Sequence, residues 1–129
     1  MEQKHNVVGW FEIPVTNMGR AIRFYEEVFE FKLEQSQMGM ADMAFFPWVE
    51  GSMGSPGALV YLPDLYKPSS DGTVIYFTAF SGDLNNELSR VEKAGGKILE
   101  GKKLIKEEIG YMAIILDTEG NKIALHSRA

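Results

Sequence analysis

The sequence predicts an α+β domain in which a strand-helix-strand-strand-strand order runs twice, each half keeping one helix behind a curved sheet. Three observations predict it. Strand-like runs outnumber helical ones, and each half holds a single amphipathic stretch of helical period. The order also restarts at Thr73 after a long loop, so residues 7–62 and 73–127 repeat one structural pattern, though hardly any letters. A chain of 129 residues suits one domain, 1–129, and 45% apolar residues suffice for a sizeable core.

Val7 to Val15 reads as a strand of β-branched and aromatic residues, and Pro14, which has no N–H to give, predicts an exposed edge there. Asn17 is placed to cap a helix. From Met18 to Glu30, Met18, Ala21, Ile22, Tyr25, Val28 and Phe29 share one face, while Arg23 stands at helical spacing from Glu26 and Glu27 on the other. Phe31 to Met38 and Ala41 to Val49 are strands around Gly39. Glu50 to Gly57 is a loop by its glycine and proline content, Ala58 to Leu62 a strand, and Pro63 to Gly72 a second long loop.

In the second half, Thr73 to Phe80 is a strand. Asp83 caps a helix that turns Leu84, Leu88 and Val91 inward, and Ala94-Gly95-Gly96 ends it, Gly95 suiting a left-handed position. Lys97 to Glu100 reads as a short strand. Leu104 to Leu116 and Lys122 to Ser127 are the last two, joined by the turn signal Asp117-Thr-Glu-Gly-Asn121.

Composition excludes several functions. The net charge of −5 argues against nucleic acid, whose binding rests on basic clusters. With no cysteine, disulfides, thiolate metal sites and cysteine nucleophiles are ruled out. No apolar stretch approaches the ~20 residues of a membrane span, and the polar start carries no signal-peptide pattern, so a soluble cytoplasmic protein is expected. No Gly-rich run follows a strand and opens a helix in the dinucleotide pattern, and Gly51 to Gly57 lacks the Lys-Ser/Thr of a phosphate loop.

Gly9-Trp-Phe-Glu-Ile-Pro-Val-Thr-Asn-Met-Gly-Arg-Ala-Ile-Arg-Phe-Tyr25, with the helix start Arg20-Ala-Ile-Arg-Phe-Tyr25 as its most specific part, resembles the opening of the vicinal oxygen chelate superfamily. Val91-Glu-Lys-Ala-Gly-Gly96 and Asp117-Thr-Glu-Gly-Asn-Lys-Ile123 extend the resemblance over nearly the whole chain. The superfamily includes glyoxalase I, bleomycin-resistance and fosfomycin-resistance proteins and extradiol dioxygenases. The resemblance implies paired βαβββ modules forming a cup-like mixed sheet, and commonly a homodimer. It does not choose among reactions, because one fold hosts several.

In metal-using relatives, His, Glu or Gln on the first and fourth strands of each module supply the donors a divalent ion needs. Carried onto this chain, those positions fall on Trp10, on Val60 or Tyr61, on Tyr76 and on Ala124. Indole and methyl groups do not ligate metals, and neutral tyrosine is a poor ligand, so no metal site and no cofactor are expected. Strand alternation places Trp10, Glu12, Tyr76, Thr78, Lys122, Ala124 and His126 on the cup face, with Phe11, Ile13, Ile75, Phe77, Ile123 and Leu125 facing the helices.

Glu12 either reaches solvent, pairs with a base, or acts on a ligand as a general base. His126 is either a solvated strand end or an acid/base group. Trp10, Phe46, Trp48, Tyr61 and Tyr76 are either core or an aromatic wall for a flat ligand, and Met38, Met40, Met43 and Met53 suit an adaptable apolar surface. The expected ligand-binding set is Trp10, Glu12, Trp48, Tyr61, Tyr76, Thr78, Lys122, Ala124 and His126. The expected function is binding of a small aromatic or apolar molecule. Its alternative is a lyase- or dioxygenase-related enzyme using a displaced metal or metal-free chemistry by Glu12 and His126.

Overall fold

The computed structural model describes residues 2–129, without the side chain of Met38. Its elements run β1 (Phe11–Pro14), α1 (Met18–Phe29), β2 (Glu34–Met38), β3 (Ala41–Phe45), β4 (Gly57–Tyr61), β5 (Ile75–Thr78), α2 (Leu84–Val91), β6 (Lys97–Lys106), β7 (Gly110–Leu116) and β8 (Lys122–Ser127). Two four-stranded sheets result, ordered β1-β4-β3-β2 and β5-β8-β7-β6. In each, the first strand lies parallel to the last and the remaining pairs are antiparallel. The twofold α+β pattern predicted from sequence is the architecture observed.

Both helices start where a side chain can satisfy free N–H groups. Asn17 accepts from the Arg20 N–H at 3.0 Å, and Asp83 from the Asn85 N–H at 3.0 Å. The Asp83 carboxylate also takes the Lys102 ammonium at 2.9 Å, which lowers its pKa. The Arg23 pairs expected on α1 do not form. Glu26 instead accepts the Leu33 N–H at 2.9 Å and faces Lys32 at 3.7 Å, tying the chain that leaves the helix back onto it.

One apolar cluster joins both modules, running from Ile13, Tyr25 and Leu59 to Phe77, Ile115 and Leu125. Phe77 sits at its centre, with ring centroids 4.9 Å from Phe29, 5.3 Å from Phe46 and 5.6 Å from Tyr25. Gly57 permits this junction, since a Cβ there would strike the Phe11 ring. A second, smaller cluster (Met43, Ala58 and Val60) lies on the opposite face of the first sheet beneath Leu62 and Tyr66.

Several strands are shorter than predicted. The β1 ladder begins only at Phe11, opposite Gly57, and leaves Val7 94% exposed. Phe31 and Phe46, predicted within strands, belong instead to the aromatic core, their rings 5.8 Å apart. The largest departure is β6, which continues to Lys106 where a strand ending at Glu100 was expected. The turn is at Glu107–Ile109, with Gly110 at φ 110°, so Leu104–Lys106 pair against β7 instead of opening it.

Candidate functional site

The predicted alternation of faces holds. Phe11, Ile13, Ile75, Phe77, Ile123 and Leu125 all pack into the shared core. Trp10 stands just before β1, its indole N–H donating to Glu12 Oε2 at 3.1 Å and its ring edge-on to Phe45 at 6.0 Å. Glu12 Oε1 accepts a short hydrogen bond from the Tyr66 hydroxyl. That bond and the adjacent negative charge push the Tyr66 pKa up. Both Glu12 oxygens are thus engaged, one by Trp10 and one by Tyr66 of the loop that links β4 to β5.

His126 is on β8, in the other sheet. Its Nε2 lies 2.7 Å from the Ile109 carbonyl oxygen, while Arg128 donates to the Glu108 carbonyl at 2.7 Å, so the end of the chain fastens the β6–β7 turn. Neither of the two cavities along β5 and β1 holds both Glu12 and His126.

The larger cavity, about 430 Å³, runs along β5 rather than across the floor of a sheet. Five consecutive residues, Val74 to Thr78, form one wall, and the loop after β3 (Pro47–Val49 and Ser52–Ser55) forms the other. Phe11, Phe31, Phe46 and Phe77 close its depth, while Phe80, 67% exposed, stands at its rim. Among the described residues, no lining side chain is Asp, Glu, Lys, Arg or His; the polar side-chain groups are hydroxyls and the Trp48 indole. Trp48 and Tyr76, both lining it, are about half exposed, at 45% and 53%.

A smaller cavity of about 190 Å³ lies where β1 approaches β8 and contains Glu12, Lys67, Asp71 and Lys122. The predicted binding residues therefore divide. Trp48, Tyr76 and Thr78 line the large cavity, and Glu12 and Lys122 the small one. Trp10, Tyr61, Ala124 and His126 line neither. Tyr61 ends β4 opposite Asp42, on the face that carries Leu59, and Ala124 is fully buried between its ladder partners Tyr76 and Ile114.

The methionines do not act together. Met43 is in the small core, Met53 is on the cavity rim, Met40 is exposed at the β2–β3 turn, and the side chain of Met38 lies outside the described residues.

The superfamily's metal does not fit these positions. Trp10 offers an indole N–H already given to Glu12, Val60 and Ala124 offer hydrocarbon, and the Tyr76 hydroxyl points to the Met112 sulfur at 3.9 Å. Among the described residues no three His, Asp or Glu side chains gather to hold an ion.

Sequence reasoning missed a polar clasp between the modules. Glu119 Oε1 accepts from the Thr16 N–H (2.8 Å), the Asn17 N–H (2.8 Å) and Arg20 Nη2 (3.1 Å), and Oε2 accepts from Arg20 Nε at 2.7 Å. Burial alone would raise the Glu119 pKa, but these bonds with Thr118 hold it at about 2. Beside it, buried Asp117 accepts from the Tyr25 hydroxyl at 2.6 Å and from Asn121 Nδ2 at 3.0 Å. Burial raises the Asp117 pKa against those bonds, and burial with the Asp117 charge raises that of Tyr25. Its letters were visible as Arg20-Ala-Ile-Arg-Phe-Tyr25 and Asp117-Thr-Glu-Gly-Asn121; their pairing was not.

The family model for the Glyoxalase/Bleomycin resistance protein/Dioxygenase superfamily matches residues 7–125. No curated protein matches the chain. Among solved structures, a mutant of glyoxalase I from Zea mays is similar with a TM-score of 0.72 and 19% identity, over 93% of this chain; the chain spans 45% of that enzyme. A glyoxalase/bleomycin resistance protein from Albidiferax ferrireducens gives a TM-score of 0.69 at 15% identity, covering 96% of this chain and 100% of its own. An antibiotic binding protein from a Streptomyces species gives 0.65 at 20% identity, covering 99% and 100%. At these identities the likeness concerns the fold.

Proposed function

The chain belongs to the Glyoxalase/Bleomycin resistance protein/Dioxygenase superfamily, and on that premise we propose that it binds a small, uncharged aromatic or apolar molecule in the cavity beside β5, without the superfamily's usual metal. The observation that carries this reading is the lining: about 430 Å³ walled by five phenylalanines, Trp48 and Tyr76, with hydroxyl groups and no side chain charged at neutral pH among the described residues. That volume lies within the roughly 300–1,000 Å³ of small-molecule sites, and the mixture of apolar walls with few polar groups is theirs too. A charged ligand would lose its hydration there without a counter-charge to replace it. The antibiotic binding protein among the similar structures belongs to the same class of activity.

Hydrocarbon and indole at the family's ligand positions support a binding role over metal-assisted catalysis. The separate engagements of Glu12 and His126 give no support to paired acid–base chemistry. A homodimer is part of the proposal, because Trp10, Tyr76, Leu99 and Leu104 leave large apolar surface outside the core; sedimentation as a strict monomer would remove it.

The chain has two tryptophans, so Trp10→Phe leaves Trp48 as the reporter. Titrating that variant with neutral bicyclic aromatics is expected to change Trp48 emission saturably, with anionic analogues of the same size far weaker. No saturable response from any neutral aromatic, or a preference for the anions, would defeat the reading.

A further inference from the structure

The wall formed by Val74 to Thr78 contains both faces of one strand, which is possible only if the cavity runs along the strand's edge. β5 hydrogen-bonds to β8 on one side and to no strand on the other. The Ala79 N–H donates to the His126 carbonyl at 2.9 Å, which fixes the direction of the backbone groups: those of residues 75, 77 and 79 turn to β8. In a parallel ladder the alternate residues turn the other way. Tyr76 and Thr78 therefore present N–H and C=O groups to the free edge, and neither has a backbone partner there among the described residues.

An apolar slot thus carries unpaired peptide groups along one side. An extended residue holds its N–H and C=O toward the same side, a donor beside an acceptor. Filling the slot with hydrocarbon alone would strip water from these groups without replacing its hydrogen bonds, at a cost in affinity. A ligand with its own adjacent acceptor and donor would replace them, as an added strand does in peptide recognition.

Resting on the binding role proposed above, we infer that the occupant is a flat, uncharged aromatic bearing a cis-oriented N–H/C=O edge, as in a lactam or imide, which pairs with the backbone of Tyr76 or Thr78. The phenylalanine-lined depth takes the rings and the strand edge takes the amide. Because the recognising groups are main-chain atoms, no polar side-chain signature marks the site in the sequence.

Three neutral bicyclic probes of nearly equal size test this: 2-quinolinone, which has the N–H/C=O pair; 1-methyl-2-quinolinone, which lacks the donor; and coumarin, whose ring oxygen replaces the N–H. Calorimetric titration of the full chain is expected to show 2-quinolinone binding about tenfold tighter than the other two, the order of effect of one or two net hydrogen bonds. In ¹⁵N-labelled protein, the Tyr76 or Thr78 amide should move downfield with 2-quinolinone and by a clearly smaller amount with 1-methyl-2-quinolinone and coumarin, whose carbonyl still accepts but is no longer held in line by the second hydrogen bond. Equal affinities for all three, or no movement of either amide, would overturn the amide inference while leaving the apolar binding role standing. Absence of binding by all three would overturn both. Tight binding of a capped extended peptide with none by 2-quinolinone would replace the small molecule with a peptide strand.

Discussion

In the first module, the sheet face away from the helices is roofed: Met43, Ala58 and Val60 lie buried beneath Leu62 and Tyr66, with the Tyr66 hydroxyl on Glu12. In the second module the same face has no such roof among the described residues. Tyr76 stands 53% exposed, and Met112, Ile114 and Leu116 are only half-buried. The strand order is identical in both, and in the first module the covering residues come from the chain just beyond the fourth strand. After β4 the chain crosses back over its own sheet as residues 62–66 before reaching β5, and Leu62 and Tyr66 of that crossing are the residues that pack on Met43, Ala58 and Val60. A repeated fold therefore does not imply two equivalent sites. The connecting loop closes one face, and the larger cavity lies along the second module's edge strand.

The sharpest way to break this contrast is to truncate matching positions on the two faces. Met43→Ala should cost about 3 kcal/mol in urea unfolding, as for a buried methionine losing its packing, while Met112→Ala, which pairs with His126 as Met43 pairs with Val60, should cost less than half as much on the unroofed face. Equal losses would mean that the second face is also covered in solution, as dimer formation would cause.

The clasp is where the modules depend on each other. Glu119→Gln should lower stability at pH 7 by about 2 kcal/mol, since several hydrogen bonds to a charged group are weakened together. The pH dependence gives a second readout. The Glu119 pKa is about 2 in the fold against an ordinary 4.5, so its contribution is complete above about 4.5 and is lost as pH falls toward 2. Asp117, raised by burial, runs the opposite way: it favours the fold at low pH and loses that contribution as pH rises through its elevated value. Glu119→Gln should accordingly flatten the acid limb of an unfolding curve measured between pH 5 and 2, and an unchanged slope would show that Glu119 is not its source.

Tyr66→Phe keeps the roof's ring and removes the hydroxyl that Glu12 accepts, so about 1 kcal/mol is expected by denaturant titration. The smallest effect belongs to Tyr61→Phe, which lies off both cavities and should leave the Trp48 ligand titration unchanged. A shift in that titration would bring Tyr61 back into the site.

Much of the fold was legible because it arises from local chemistry. Asn17 and Asp83 announce helix starts, alternation along β1, β5 and β8 sorts core from outer face, and Asp117–Asn121 marks the last turn. The Glu107–Ile109 turn escaped because Leu104-Ile-Lys-Glu-Glu-Ile continues a strand-like pattern and only Gly110 signals the reversal. The site was less legible. Trp48, Tyr76 and Thr78 were found as aromatic or cup-facing residues, but the cavity depends on Phe31, Phe46 and Phe80 meeting from three separate loops. The roof over Glu12 was invisible because Tyr66 lies 54 residues away in a stretch that reads as plain loop.

The central position of Phe77 also has a consequence for synthesis. Tyr25, Phe29 and Phe46 are covered by a ring that the ribosome adds only after more than half the chain, and the Thr16–Glu119 contact joins residues 103 apart. The first module therefore emerges with its aromatic side bare and must wait for its twin. Contacts of such long separation fold late, and the nascent first half is the stretch that a chaperone would need to shield.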